Sequence, residues 1–323
     1  MPSVLVALKR LTSVVITPHA KAGVTFAGKV HALPWDTHSW LWHINAGLFK
    51  QAGLVDGSGN PVIPKSVDEL MAQAKTIKEK TGKPYFIMAS VAAGDAGNGA
   101  RSFWTLMYTQ AASIFKEGNF DKADFNSAEA KNAFDVFERL SKEGYITKGL
   151  DGAGGLGGFI GGNAAVYLTG TWRIDDLIAA AAKPESGLKE YTTRIFPNLF
   201  KQDAVWADNH SWVMLRGGTN PTTRKAAQTF LKYLWDHNAD WARGGGHLPV
   251  RSSLLAEYGK LPQRSHVMKI TEIGKALPHD VRRQFGFQAL IGEEINNIIN
   301  GNKGTAQAMK DAQERADQLL SRR

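Results

Sequence analysis

The chain has 323 residues, of which 43% are hydrophobic and 21% charged, and its formal net charge is +9. This composition is typical of a globular protein and excludes a disordered or fibrous one, while the length favours two lobes over a single core. Cysteine is absent, which excludes disulfides, thiolate catalysis and cysteine-ligated zinc or iron–sulfur centres.

The basic residues are scattered along the chain, with "KEKTGK" and the closing "SRR" as the only small clusters. Proteins that bind nucleic acid normally carry a basic stripe and a recognisable module. Neither is present, so we expect no nucleic-acid partner. No run of about twenty apolar residues occurs either, and we expect no segment that spans a membrane.

The first residues, "MPSVLVALKRLTSVVITPH", combine a short apolar run with Lys9 and Arg10. A secretory signal needs a small-residue cleavage site after its apolar region, and this segment has none. It therefore predicts a buried strand or helix.

The next segment, "AGKVHALPWDTHSWLWHINAGLFKQAGL", predicts a turn at Gly28, a strand, the polar loop "PWDTH", a second strand "SWLWHIN" and a short helix. Ser66 is expected to cap the helix "VDELMAQAKTIKEKTG", with Glu69 at the capping-box position and Gly82 at the end. A strand, "KPYFIMAS", should follow.

Further helices are predicted in "RSFWTLMYTQAASIF", "SAEAKNAFDVFERLSKEG" with Gly144 as its stop, "WRIDDLIAAAAK", "NPTTRKAAQTFLKYLWD" with Pro221 in its first turn, and the closing segment. Strands are predicted in "AAVYLTG", "YTTRIFPNLF" and "HSWVMLRG". Strands alternate with helices, so the fold class is α/β. No linker separates two halves, which indicates lobes between which the chain crosses back and forth.

A literal G-x-G-x-x-G occurs at Gly152, Gly154 and Gly157. A dinucleotide-binding loop needs a strand before these glycines and a helix that opens within them. Here a helix precedes the glycines and a strand follows. We interpret the run as a flexible approach to "AAVYLTG", and we expect no nucleotide cofactor.

Evidence for metal binding or catalysis is weak. The nine histidines lie far apart in the sequence, with His31, His38 and His43 as the nearest group, and no H-E-x-x-H motif occurs, so no metal site is predicted. No nucleophile elbow is present. A glycosidase needs two facing carboxylates, and Asp36 with Asp208 stays open as an alternative.

Aromatic, acidic, amide and guanidinium groups stand together in "PWDTH", "RSFW", "TGTW", "WADNHSW" and "GHLPVR". Ligand sites of α/β proteins collect at the ends of their elements. An aromatic ring beside polar groups is typical of a sugar site, because the ring covers the C–H face while the polar groups bond the hydroxyls.

Four segments, in this order, resemble the extracellular solute-binding proteins of the carbohydrate-binding group that includes maltose- and glycerol-3-phosphate-binding proteins. They are "GKVHALPWDTHSWLWHINAGLFKQAGL", "PKSVDELMAQAKTIKEKTGKPYF", "FIGGNAAVYLTGTW" and "GHLPVR". The resemblance covers essentially the whole chain. It implies a periplasmic-binding-protein-like two-lobe fold of type II with hinge crossings. It also implies a monomer that delivers a mono- or oligosaccharide to the permease subunits of an ABC importer by lobe closure, with no cofactor and no catalysis.

The resemblance further implies where the ligand binds. The first crossing would contribute Trp35, Asp36, Thr37 and His38; the C-terminal lobe Arg101 and Trp104; the stacking platform would be Trp172; and the second crossing would contribute Asn209 and His210. His247 and Arg251 lie in "GHLPVR", which either contacts the ligand or only shapes a loop. Residues 1–38 with 209–257 would form the N-terminal lobe, and 39–208 with 258–323 the C-terminal lobe.

Members of this group begin with an export signal and then a strand and helix that start the N-terminal lobe, whereas this chain resembles one that opens inside that lobe. We therefore expect an incomplete N-terminal lobe, exposed apolar surface, unpaired strand edges and poor sugar binding by the chain alone. The family location is periplasmic or extracellular, although the chain itself, without an export signal, would stay in the cytoplasm. A receptor for glycerol-3-phosphate or a polyamine, and a hydrolase using Asp36 and Asp208, stay open as alternatives.

Overall fold

The computed structural model describes residues 16–91, 96–116, 119–215, 217, 220–278 and 281–322. The strand or helix predicted at the start of the chain lies mostly outside these residues. Contacts divide the chain into two units. Unit 1 consists of Met1–Ser39, Thr171–Asp175 and Ala207–His279, and unit 2 of Trp40–Gly170, Asp176–Trp206 and Asp280–Arg323. Whether these units are the lobes of the predicted hinge stays a prediction.

The described helices are α1 Pro18–Gly23, α2 Ala46–Gln51, α3 Val67–Thr81, α4 Ala96–Thr109, α5 Ala128–Lys142, α6 Gly152–Ile160, α7 Ile174–Ala181, α8 Pro221–Asp236, α9 Asn238–Gly245, α10 Leu255–Lys260, α11 Ile270–Ile273, α12 Gln284–Ile299 and α13 Thr305–Ser321. The described strands are β1 Thr25–Phe26, β2 Lys29–Val30, β3 Leu33–Asn45, β4 Phe86–Ile87, β5 Phe115–Lys116, β6 Asn119–Ala123, β7 Val166–Gly170, β8 Tyr191–Ile195, β9 Val205–Trp212, β10 Leu248–Pro249 and β11 Gly274–Lys275.

The long strand β3 has 13 residues, all of them buried. Its first half pairs antiparallel with β9 and β10 in unit 1, and its second half pairs antiparallel with β7 and β8 in unit 2. The prediction of a loop in "PWDTH" is wrong, because these residues form part of β3. Their polar side chains find partners on neighbouring segments instead of water.

The capping signals of α3 are confirmed. The Ser66 hydroxyl accepts a hydrogen bond from the backbone N–H of Glu69 at 3.1 Å, and Gly82 ends the helix in the left-handed region at φ 67°. The Glu69 carboxylate reaches back to the backbone N–H of Lys65 at 2.8 Å. Side chains thus satisfy the N–H of Glu69, one of the four orphan donors of the helix, and the N–H of Lys65 just before the cap.

The glycine run forms helix α6, so its interpretation as a flexible approach is wrong. Asp151 caps this helix by accepting a hydrogen bond from the backbone N–H of Gly154 at 2.7 Å. A Cβ atom at Gly158 would lie only 2.7 Å from Cδ1 of Ile87 on β4. The small residues therefore let the helix pack closely on the strand layer of unit 2.

In unit 1, a small core forms around Trp235 of α8, which packs with Ile16, Ala20, Leu33 and Val250. Unit 1 also carries most of the exposed large hydrophobic side chains among the described residues: Phe26, Trp212, Val213, Leu215, Phe230, Tyr233 and Trp241. No described helix is both long enough and apolar enough to cross a membrane.

Helix α12 was not predicted, because it is buried on most sides and so lacks the apolar stripe that marks a surface helix. It packs against α4, α5 and α13 in unit 2. Its one buried carboxylate, Glu294, is paired with Lys303 at 2.7 Å and Arg315 at 2.9 Å. Gly99 of α4 permits close approach, since a Cβ atom there would lie 2.9 Å from Ile295 Cβ.

We predict that Gly99→Ala lowers the free energy of unfolding by about 1 to 2 kcal/mol, because the added methyl group overpacks the α4–α12 contact. Gly157→Ala is the matched control, since a Cβ atom at Gly157 meets nothing within 4 Å. There the same change should stabilise the chain by about 0.5 to 1 kcal/mol through helix propensity. Urea unfolding of both variants measures the effect. The same sign at both positions would contradict the packing argument.

Candidate functional site

A fully buried carboxylate, that of Asp36 on β3, is the centre of the candidate site in unit 1. The facing residue on β9 is His210, whose Nδ1 lies 3.0 Å from both Asp36 oxygens and whose backbone N–H donates to Oδ1 at 3.3 Å. Trp241 of α9 donates through Nε1 to Oδ2 at 2.8 Å, and His38 Nδ1 lies 3.2 Å from Oδ1. Such donors are what a buried carboxylate requires.

These contacts keep the carboxylate ionised. Burial by itself would raise the pKa of Asp36, but hydrogen bonds from His210 and His38, together with the nearby His247, hold that pKa well below its usual range. Asp36 is therefore a permanent acceptor, which fixes the orientation of the groups around it.

Three imidazoles surround Asp36. The rings of His38 and His210 are stacked, with centroids 4.2 Å apart, and the ring of His247 lies 5.5 Å and 5.7 Å from them. Thr171 Oγ1 lies 3.0 Å from Nδ1 of His247. One ligand atom each from Asp36, His210 and His247 can be chosen so that all lie within 4.8 Å of one another.

Indole rings line the same group. Trp172, in the short helix directly after β7, has its ring centroid 6.1 Å from His38 and 6.2 Å from His247. Trp241 lies 5.8 Å from both His247 and Trp35. Trp172 and Trp241 keep part of their surface exposed, so an apolar face adjoins the polar centre.

Two of the predicted site residues lie on the opposite face of the strands. Thr37 donates through Oγ1 to Asn209 Oδ1 at 2.8 Å, and Asn209 Nδ2 points to the backbone oxygen of His19 at 3.5 Å. Side chains alternate along a strand, so Thr37 and Asn209 face away from Asp36 and His210.

Arg251 is half-buried and packs against the small core of unit 1. Its guanidinium carbon is 5.6 Å from the ring of Trp235, and Nη1 donates to the Trp235 backbone oxygen at 3.3 Å. Its backbone bridges to Ile16. Whether Arg251 contacts the ligand or only shapes a loop stays a prediction.

Arg101 and Trp104 belong to α4 of unit 2. The guanidinium carbon of Arg101 lies 4.8 Å from the ring of Trp206 and 5.8 Å from that of Trp40. Trp104 is buried, and among the described residues its Nε1 has no hydrogen-bond partner. Both remain predicted ligand contacts of unit 2.

Sequence reasoning missed Trp241 and Thr171. The only signal for Trp241 is its place six residues before His247, in "WARGGGH". The histidines were judged too far apart in the sequence for a metal site, yet the strand register brings His210 within contact of His38. Distance along the chain is a poor guide where β3, β9 and β10 meet.

The sequence matches the family model of the bacterial extracellular solute-binding proteins over residues 3–265. No curated protein matches the chain.

Solved structures show the same fold. The cyclic α-maltosyl-1,6-maltose binding protein of Arthrobacter globiformis is similar with a TM-score of 0.73 and 22% identity, over 94% of this chain and 76% of that one. The sugar-binding protein MalE of Xanthomonas citri gives 0.78 and 17%, over 99% and 78%. The GacH receptor of Streptomyces glaucescens GLA.O, solved unliganded and with acarbose, gives 0.73 and 19%, over 95% and 75%. The predicted α/β fold class of periplasmic binding proteins is confirmed.

We predict that acid destabilises the fold partly through His247. Burial lowers the pKa of His247 to about 4, against the raising influence of Asp36 and with His38 and His210 lowering it further. Between pH 6.5 and pH 4, His247 therefore binds a proton in the unfolded chain but stays neutral in the folded chain. Its contribution to the free energy of unfolding is complete above pH 6.5 and is lost as the pH falls towards 4. The loss amounts to about 2 to 3 kcal/mol.

Chemical denaturation between pH 7 and pH 4 tests this. His247→Gln should flatten the fall in unfolding free energy, whereas His237→Gln, on an exposed imidazole at the end of α8, should leave it as steep as in the original chain. Equal slopes in all three proteins would contradict the prediction.

Proposed function

The chain belongs to the family of bacterial extracellular solute-binding proteins, and we propose that it is a sugar receptor of an ABC importer. By their names, the similar structures bind a cyclic maltosyl-maltose, other sugars or acarbose. A mono- or oligosaccharide is accordingly the proposed solute. The observation that carries this proposal is the ionised, buried Asp36 at the centre of imidazole and indole rings.

Asp36 acts here as a positioning residue. Four donors surround the carboxylate: Nδ1 of His38, Nδ1 of His210, the backbone N–H of His210 and the indole N–H of Trp241. Their number matches the roughly four acceptor positions of a carboxylate. The carboxylate therefore orients these rings, and the imidazoles of His210 and His247 would bond the sugar hydroxyls. Rings held in place before the sugar arrives lose less entropy on binding.

Trp172 is the proposed stacking platform. Its indole is partly exposed and borders His38 and His247. A pyranose lying on this ring would place its C–H face on the indole and its edge hydroxyls toward the imidazoles, which is the arrangement that aromatic sugar sites use.

Binding without catalysis is part of the proposal. A glycosidase needs a carboxylic acid that can donate a proton, and the lowered pKa of Asp36 keeps it ionised. Asp208 is exposed, and its Oδ1 accepts the backbone N–H of Asn209 at 2.8 Å. No feature of the two favours the hydrolase alternative.

The remaining parts of the proposal come from the family. We propose that units 1 and 2 are the lobes, that they close on the sugar, that the permease subunits recognise the closed form, and that the receptor acts as a monomer in the periplasm or outside the cell. Polyamine and glycerol-3-phosphate receptors have no specific support in the geometry around Asp36.

We predict that maltose or maltotriose at millimolar concentration receives saturation from the aromatic protons of the chain in saturation-transfer NMR. This method detects weak as well as tight binding. Trp172→Ala should remove most of the signal and weaken binding by about 5- to 150-fold, because an indole platform contributes roughly 1 to 3 kcal/mol by its buried area.

Tyr233→Ala is the matched control, because it removes an exposed aromatic ring of unit 1 that stacks on His237, away from Asp36. Its signal should equal that of the original chain. Absence of transfer to every sugar of a mono- and oligosaccharide panel would remove the sugar proposal, and an unchanged signal in Trp172→Ala would remove the platform assignment.

A further inference from the structure

We propose that Asp36, His210 and His247 form a binding site for one divalent transition-metal ion, with Zn²⁺ as the best match. The proposal concerns unit 1 alone and does not depend on the sugar proposal. It rests on the positions of three ligand atoms, on their chemistry and on the partners that hold them.

The spacing suits a single ion. Ligand atoms that share a tetrahedral Zn²⁺ at 2.0–2.1 Å lie about 3.3 Å from each other. His210 Nδ1 already lies 3.0 Å from both oxygens of Asp36. With His247 included, the three ligand atoms are within 4.8 Å of one another, so the widest gap exceeds the ideal by at most about 1.5 Å. A small rotation of side chains closes it.

The donor set selects the class of metal. Two imidazole nitrogens and one carboxylate oxygen suit zinc, copper, nickel or iron, whereas calcium and magnesium prefer oxygen ligands only. Three protein ligands leave a fourth position for water or a solute group, as in open zinc sites. The carboxylate of Asp36 supplies a negative charge that offsets part of the charge of the ion.

Each of the three ligands has an outer partner that fixes its orientation. Thr171 Oγ1 lies 3.0 Å from Nδ1 of His247 and leaves Nε2 as the ligand atom of that ring. Trp241 donates to Asp36 Oδ2 at 2.8 Å. The ring of His38 stacks on that of His210 at 4.2 Å. Hydrogen-bond partners like those of His247 and Asp36 are typical of metal centres, where they hold the tautomer and the ring angle.

An ion can also reach the site. Asp36 and His247 are buried, but the side chain of His210 is 59% exposed. One exposed ligand beside two buried ones provides an entry path. The contrasting interpretation is that the imidazoles only donate hydrogen bonds to Asp36, and the experiment separates the two.

The test uses the whole chain without a histidine tag, treated with EDTA and dialysed. Isothermal titration with ZnCl₂, and metal analysis after equilibrium dialysis, should give one tightly bound Zn²⁺ per chain. His210→Ala and His247→Ala should each weaken binding by about 100-fold or more, and Thr171→Val by about tenfold, since outer partners alone are worth 10–100-fold.

His237→Ala is the matched control, because it removes an imidazole of unit 1 that stacks on Tyr233 at 4.0 Å instead of facing Asp36. Its Zn²⁺ affinity should be unchanged. Co²⁺ is the second probe: the intense visible absorption of four-coordinate cobalt is expected in the original chain and should be lost in His210→Ala. Because the side chain of His210 is exposed, we expect its alanine variant to fold, and circular dichroism checks the fold of each variant.

Three outcomes would overturn the proposal: no stoichiometric Zn²⁺, equal affinity in the original chain and all variants, or the weak absorption of six-coordinate Co²⁺. Sugar binding is measured separately by saturation transfer. Zinc binding without sugar binding, or the reverse, therefore shows which of the two proposals fails.

Discussion

A carboxylate without exposed surface has to be surrounded by donors, because an unpaired buried charge costs several kcal/mol. Asp36 meets this requirement from three segments: its own strand through His38, the facing strand through His210, and helix α9 through Trp241. The pairing of Asp36 with His210 sets the register of β3 on β9 in unit 1. A slip of one residue would turn His210 to the other face and leave the carboxylate without its main donor.

The same constraint decides what the site can bind. Because the donors of Asp36 are rings, satisfying its charge also holds two imidazoles and an indole in fixed positions. A sugar would use these rings as hydrogen-bonding and stacking surfaces, and a metal ion would use their nitrogens together with the carboxylate. Both proposals draw on a geometry that is present before any ligand arrives, which lowers the entropy lost on binding. A zinc ion bound between Asp36, His210 and His247 would occupy groups that the sugar also needs, so the two ligands would compete or bind together through the open metal position.

Local signals predicted much of the fold, whereas contacts between distant segments explain where prediction failed. Ser66 and Gly82 mark the ends of α3 because capping depends on a few neighbouring residues. The polar segment "PWDTH" was predicted as a loop since its polarity normally means water, but in β3 the polar groups bond across strands. The glycines of α6 have low helix propensity. The cap at Asp151 and close packing on the strands of unit 2 favour the helix instead. Family resemblance identified Asp36, His38, Trp172 and His210 as site candidates; strand alternation, which decides that Thr37 faces away from Asp36, was not considered.

The position of His247 shows why the remaining part of the site was not predictable. The two ends of "GHLPVR" lie in different surroundings, with His247 beside the rings around Asp36 and Arg251 against Trp235. Gly246 adopts a left-handed conformation at φ 71°, and a Cβ atom there would collide with the backbone oxygen of Thr171. Tyr258 donates to the Gly246 oxygen at 2.8 Å and holds this approach. The glycine therefore lets His247 reach the Thr171 hydroxyl and so the rings around Asp36, while Arg251 packs on Trp235 in the core. The close backbone approach of Gly246 to Thr171, 75 residues apart, leaves no periodic pattern in the sequence. The sequence signal for it is a glycine directly before a histidine.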